Sequence, residues 1–314
     1  MKQKLTTIII SILIAFSLML GANQLRAQSE AADSGPINLT VALIGSSTVS
    51  LGEPVLLKYV VSNTGGQKAS VFTEDSRQNS LITERFTDAT GKMLVPSVNP
   101  IPPHRIINGM IPSSGLINLT DLRANTSTNW ETVANAYVTF PRPGRYVLRV
   151  HVQDPYVIGE DDQGPRQLLT GDYVFPLTVV EAKPAYLRAT AERLRSSVLA
   201  TSDLNVRATL IKALFSMPEA TASASWQALV EEPRLDGYSL SNTGTALARI
   251  HTIGATDILA EMIWEPVQPR DVLNQASPGR DLDDVYETGD AALRKHIEEL
   301  HKQRGVGMSQ FHIM

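Results

Sequence analysis

Two hydrophobic periods divide the chain. Between residues 37 and 181 apolar positions recur at every second residue, the spacing of strands with one buried face. Leu39, Val41 and Leu43 alternate with Thr40 and Ala42. After the turn Ser50-Leu51-Gly52-Glu53-Pro54, the residues Val55, Leu57, Tyr59 and Val61 share a face. Leu56 and Val60 on the opposite face predict that this strand is interior to a sheet, and Asn63-Thr64-Gly65-Gly66 ends it with turn chemistry. Asp88-Ala89-Thr90-Gly91 predicts the tip of a hairpin running from Ile82 to Leu94. The clearest strand follows Pro143-Gly144: Tyr146, Leu148, Val150 and Val152 point one way, Arg149 and His151 the other. A last strand is expected from Tyr173 to Val180. Short strands between Gly/Pro turns, without a helical period, predict an antiparallel β-sandwich.

The run Gly52-Glu53-Pro54-Val55-x-Leu57-x-Tyr59, followed by Phe140-x-x-Pro143-Gly144-x-Tyr146-x-Leu148-x-Val150 and Leu177-x-Val179, resembles the immunoglobulin-like domains at the front of many exported bacterial proteins. The resemblance covers residues 37–181. It implies that Tyr146 sits near the start of the penultimate strand and bonds back to the backbone as a corner. It also implies that Leu148 takes the place an antibody-type domain gives to its second Cys. The resemblance is one of architecture and implies no function.

At Lys183-Pro184 the period changes from 2 to 3.6. Leu187, Ala191, Leu194 and Val198 form one helical face, opposite Arg188, Arg193 and Arg195. Asp203 is placed to cap a second helix with Val206, Leu210, Ala213 and Leu214 inward, stopped by Met217-Pro218. A third helix is expected from Ala220 to Glu232-Pro233. Shifting the chain by 33 residues lays 213–233 on 246–266 without gaps, with five of 21 positions identical. Ala222, Trp226, Leu229 and Val230 fall on Ala255, Leu259, Met262 and Ile263, all at i, i+4, i+7, i+8 spacing. Two helical hairpins that each close on Glu-Pro resemble HEAT or armadillo-like repeats over about residues 185–270. A stable stack needs three or more units, so the first helix pair and a final helix near Asp283–His301 (Leu293, Ile297 and Leu300 inward) are expected to complete it. An irregular small helical bundle is the other reading. The whole is therefore a multidomain chain, all-β followed by all-α: a sandwich over 37–181 and a helical domain over 185–303. Residues 267–284 read as a polar loop and 304–314 as a flexible tail.

The first residues need a separate reading. Lys2 and Lys4 precede an uncharged stretch from Leu5 to Ala22, and Leu25 and Ala27 stand at −3 and −1 before Gln28. That is the layout of a secretory signal peptide over 1–27, followed by a polar leader over 28–36. An uncleaved anchor is the alternative, because 18 uncharged residues reach the lower limit for spanning a bilayer. The expected location is the periplasm or the exterior.

The 314 residues contain no cysteine, which excludes disulfides, thiolate metal sites and thiol nucleophiles. The formal net charge is −4. Removing residues 1–27, which carry three bases and no acid, takes it to about −7. With no Lys/Arg-rich run, nucleic acid and anionic membrane surfaces are not expected partners.

Candidate chemistry is sparse. His296 and His301 lie at i, i+5, about 140° apart on a helix, and not at the i, i+4 spacing of a zinc pair. His151 lies on a polar strand face, and His104 and His251 have no ligand-spaced neighbour. Two acidic runs, Gly159–Gly164 and Asp281–Asp284, read as a solvated loop and as a helix N-terminus rather than as Ca²⁺ loops. No GxSxG, GxxxxGK[ST] or GxGxxG motif occurs. Asn38, Asn118 and Asn125 open glycosylation sequons that matter only in a eukaryotic source. Trp226 and Trp264 read as core of the helical units.

No catalytic, cofactor-binding or metal-binding residue is therefore expected, and no cofactor. The expected function is non-enzymatic binding of another protein, through the sandwich loops and the concave face of the helical stack. A second reading is an inhibitor-like or enzyme-accessory protein that uses the Pro-rich stretch Pro96–Pro112 as a stiffened docking loop. A third is an enzyme with a site assembled from dispersed polar residues.

Overall fold

The structure, a computed structural model, describes residues 28–29, 35–72, 82–95, 119–136, 138–158, 166–268, 272 and 278–304. The expectations for residues 1–27, for Pro96–Pro112, for Gly159–Gly164 and for 305–314 lie outside them.

Among the described residues the strands come first: β1 (Gln28–Ser29), β2 (Ile37–Ile44), β3 (Thr48–Ser50), β4 (Leu56–Asn63), β5 (Ala69–Phe72), β6 (Thr83–Asp88), β7 (Leu119–Leu122), β8 (Thr126–Val133), β9 (Gly144–Ile158) and β10 (Arg166–Val180). One sheet has the order β2-β4-β8, so β4 is interior, as its two apolar faces predict. The other runs β1-β10-β9-β5-β7, with β6 also on β9 and β3 on β10. Val41, Leu43, Leu57 and Tyr59 from the first sheet meet Phe86, Leu148, Val150, Val152, Phe175 and Leu177 from the second in one buried cluster. This face-to-face packing makes a sandwich.

Two corrections apply. The pairing is not wholly antiparallel, because β3 runs parallel to β10, Thr48–Ser50 against Thr178–Val180. The expected leader 28–36 begins as a strand, since Gln28 and Ser29 pair with Val174 and Tyr173. The Asp88 turn forms as expected: its Oδ1 accepts from the Thr90 and Lys92 amides, and Leu94 N returns to Phe86 O. The corner forms as well, with the Tyr146 hydroxyl donating to Arg142 O at 2.7 Å.

Among the described residues these helices follow: α1 (Pro184–Ala200), α2 (Leu204–Phe215), α3 (Glu219–Val230), α4 (Gly237–Ala248), α5 (Ile253–Trp264), α6 (Pro278–Thr288) and α7 (Ala291–Arg304). Asp203 caps α2 through the Asn205 and Val206 amides. Each helix from α1 to α5 packs on the next but one, giving the contacts α1·α3, α2·α4, α3·α5, α4·α6 and α5·α7. The odd helices form one layer and the even helices the other. In the odd layer, Leu187, Ala222, Ala255 and Leu293 are all buried at one level, and Ala191, Trp226, Leu259 and Ile297 at the next. These are the stripes that the 33-residue shift picks out in α3 and α5.

Three expectations for this half change. The final helix is two, because Gly289 breaks it: a β-carbon there would stand 2.6 Å from Val285 O. The polar loop 267–284 ends early, because Pro278–Asp284 belong to α6, where Leu282 and Val285 are buried. Val206 faces solvent, 37% exposed, because α2 makes its core contacts through Ile211, Ala213, Leu214 and Phe215 at its other end.

The two halves are docked. Thr209 Oγ1 of α2 donates to the Glu131 carbonyl of the edge strand β8 at 3.0 Å, satisfying an acceptor that has no strand partner on that side. Tyr186 of α1 donates to Glu53 Oε1 at 2.7 Å.

Candidate functional site

A cleft of about 370 Å³ runs along the junction of the two halves. The sandwich supplies Gly52, Asn135, Ala136 and Val138–Phe140, and the helices supply the C-terminal ends of α2 and α4 and the turns that follow them. Its sandwich wall is set by Asn135, which is buried: Oδ1 accepts from Val55 N at 2.7 Å and Nδ2 donates to Glu53 O at 3.0 Å. One amide thus ties the end of β8 to the β3–β4 turn.

Aromatic clusters from both cores reach the cleft. Phe140 stands edge-on to Phe86, with ring centroids 5.3 Å apart, and leans on Tyr146 at 4.9 Å. Across from it Phe215 stacks on Trp226 at 5.3 Å, and Trp226 Nε1 donates to Leu214 O at 3.0 Å. Met217, Pro218 and Ile250 continue the apolar lining, and Lys212, Arg249 and Glu219 supply the charges. Glu219 packs against Gly254, which is in the first turn of α5, where the helix dipole favours a carboxylate. Near this junction burial pushes the Glu131 carboxyl up, opposed by Lys58 and helped by Asp203. A largely apolar trough with a few charged groups in its lining suits binding of an amphipathic segment.

Of the candidate residues singled out in the sequence, Trp226 lines this cleft; the histidines and acidic runs do not converge on it. His151 is exposed on β9 and bonded to Asp172 of β10, 2.8 Å away. His251 contacts Thr288 Oγ1 at 3.1 Å, and burial lowers its pKa against the pull of Asp290. His296 meets Asp257 at 2.6 Å, and the buried His301 stands edge-on to Trp264 at 5.4 Å. Both rings therefore address α5, at positions seven residues apart, and among the described residues no group of three His, Asp or Glu could hold a metal. Asp281 lies in the first turn of α6, where Thr245 Oγ1 donates to it at 3.3 Å. Trp226 is fully buried and Trp264 partly so. Asn38 and Asn125 are exposed, while His104 and Asn118 fall outside the described residues.

Sequence reasoning named Phe140 only as part of an architectural motif, and did not name Asn135 or Lys212, or give Arg249 any role. The repeat alignment did place Ser216 and Arg249 at equivalent helix ends. Nothing in it indicates that both ends face the sandwich.

No family model matches the chain, and no curated protein does. Solved structures give partial likenesses. A PapD-like domain of human CEP192 is 12% identical, with 52% of this chain and 97% of that chain covered and a TM-score of 0.26. The periplasmic chaperone SfaE is 11% identical, with 49% and 65% covered and a TM-score of 0.18. A beta-glucosidase from Listeria innocua is 11% identical, with 46% and 16% covered and a TM-score of 0.22. At these scores none of the three bears on function. Among the described residues no helix is long and apolar enough to cross a membrane.

Proposed function

We propose that the chain is an exported, non-enzymatic binding protein that holds a segment of another protein in the cleft between its sandwich and its helices. The observation that carries this reading is the composition of that cleft: aromatic clusters anchored in two separate cores, an apolar lining, and the three charged side chains Lys212, Glu219 and Arg249. Preformed walls lower the ordering cost of binding. Export rests on the signal-like pattern of residues 1–27. The immunoglobulin-like reading of the sandwich is supported by the Tyr146 corner, and the HEAT-like reading of the helices by their two-layer, next-but-one packing.

The test is co-purification of the tagged full chain from its native envelope fraction, with mass spectrometry of partners and of the amino terminus. Ala136→Arg, at a half-buried turn position lining the cleft, adds bulk and charge to it while leaving every residue of both aromatic clusters unsubstituted. A recurrent partner lost with Ala136→Arg supports the reading. Capture unchanged by that variant overturns the cleft, and substrate turnover abolished by changing one polar cluster overturns the non-enzymatic assignment.

A further inference from the structure

A second recess lies on the helical half, where α3 and α5 run side by side and end together. Gln227 of α3 holds the pair in register: its Nε2 donates to Glu231 Oε1 at 2.8 Å and across to Glu261 Oε2 of α5 at 2.6 Å. The groove beyond encloses about 360 Å³ between these carboxylates and the chain leaving α5. Val230, Met262 and Val267 give it apolar walls. Glu265 also lines it, but Arg304 pairs with that carboxylate and lies over the Trp264 ring. Glu231 and Glu261 are exposed, and among the described residues neither is paired with a cation.

Gln268 is the second, independent feature. It is 4% exposed and lines the groove. Its Nε2 donates to Val230 O at 2.7 Å and to Glu232 O at 3.0 Å, carbonyls at the end of α3. Those two bonds fix the amide orientation, since a flip would set oxygen against oxygen. Among the described residues the Oε1 is then a buried acceptor with no donor, an arrangement that costs free energy until a donor arrives.

The Gln227 and Gln268 amide N–H groups are already donating and Glu265 is paired with Arg304, so what the groove still offers are acceptors: the Glu231 and Glu261 carboxylates, the Gln268 amide oxygen and the negative ends of two helix dipoles. The side chains that only donate and carry positive charge are those of lysine and arginine, whose methylene stems suit the Val230, Met262 and Val267 walls. We propose that this groove receives a lysine or arginine side chain from a basic segment of a protein partner, the N–H groups donating to Gln268 Oε1 and lying between Glu231 and Glu261. The inference rests on the reading of the chain as a protein-binding module, and it adds a second contact point with stated chemistry.

The test needs no natural partner. The probe is a fluorescein-labelled eight-residue peptide alternating arginine and alanine, with a citrulline version as the uncharged control, titrated against the full chain by fluorescence anisotropy. Glu231→Gln combined with Glu261→Gln should weaken arginine-peptide binding by about tenfold or more, whereas Asp121→Asn with Asp172→Asn removes two charges from the sandwich and should change it by less than about twofold. The side-chain amide resonances of Gln268 and Gln227 should shift on titration with the arginine peptide and stay still with the citrulline peptide. Absence of binding, equal losses in the two double variants, or an unmoved Gln268 amide would each overturn the groove. If the groove fails while partner capture still depends on Ala136, the function proposed above stands without it.

Discussion

Gly52 lies against Pro218 so closely that a β-carbon on Gly52 would stand 2.5 Å from Pro218 Cγ, joining the β3–β4 turn of the sandwich to the start of α3. Gly52 also has φ +87°, which L side chains rarely adopt. Gly52→Ala is therefore expected to destabilise the protein by about 2–4 kcal/mol, through backbone strain and steric collision together. Gly91 is the control: its φ is +85° but nothing lies within 4 Å, so Gly91→Ala should cost only about 1–2 kcal/mol. Chemical denaturation of both variants checks the difference, which measures the contact between the halves.

Glu131 should be a liability at neutral pH. Burial at the junction raises its pKa, so the folded state prefers the protonated carboxyl. Folding is penalised once the group ionises, and the penalty disappears as pH falls below its unfolded value. Glu131→Gln should raise the melting temperature at pH 7 and leave it unchanged near pH 4. Equal effects at both pH values would show that charge is not the cause.

His251 should make the helical half acid-sensitive. Its pKa is lowered from 6.5, chiefly by burial, so the unfolded chain binds the proton more readily than the folded one. Stability is intact above pH 6.5 and declines as pH falls through the lower folded value. Its φ of +54° makes asparagine the suitable replacement, because asparagine tolerates the left-handed region. His251→Asn should flatten the stability profile below about pH 6.5. Melting curves across that range would show it.

Tyr173 should set an alkaline limit. Its hydroxyl crosses from β10 to donate to Leu39 O of β2 at 2.7 Å, bridging the two sheets, and burial pushes the phenol up to about 12. The folded state thus holds a proton that the unfolded chain releases near 10, so this contribution is complete below pH 10 and is lost as pH rises through about 12. Tyr173→Phe should cost about 1 kcal/mol at neutral pH and remove one late-ionising phenol from an ultraviolet titration.

Much of the framework was legible from local pattern. The period-2 run through Leu57 and Tyr59 and the stripe Ala222, Trp226, Leu229 are strong because one face of each element is buried along its whole length. The segment before Asp284 misled for a physical reason. Pro278-Gly279 and three aspartates read as a turn, yet Pro in a first turn and Asp near an N-terminus are what helix starts accept, and Leu282 with Val285 already carried the i, i+3 signal. The sites were illegible for another reason. Phe140 and Phe215 come from different cores, and Gln268 reaches the Glu231–Glu261 pair only because two helices more than thirty residues apart in sequence end at the same level. No period in a single segment encodes that.

The register of the large sheet has a consequence for the order of assembly. β5 pairs with β9 across more than eighty residues, β1 pairs with β10, and β10 ends at Val180. The sandwich cannot close until that last strand has been supplied, whereas the described helices pack on one another no more than two helices apart. Sequence-local contacts form fast and distant pairings slowly. Refolding should therefore show an early helical phase followed by a slower sheet phase, and the interdomain cleft comes into existence only with the second.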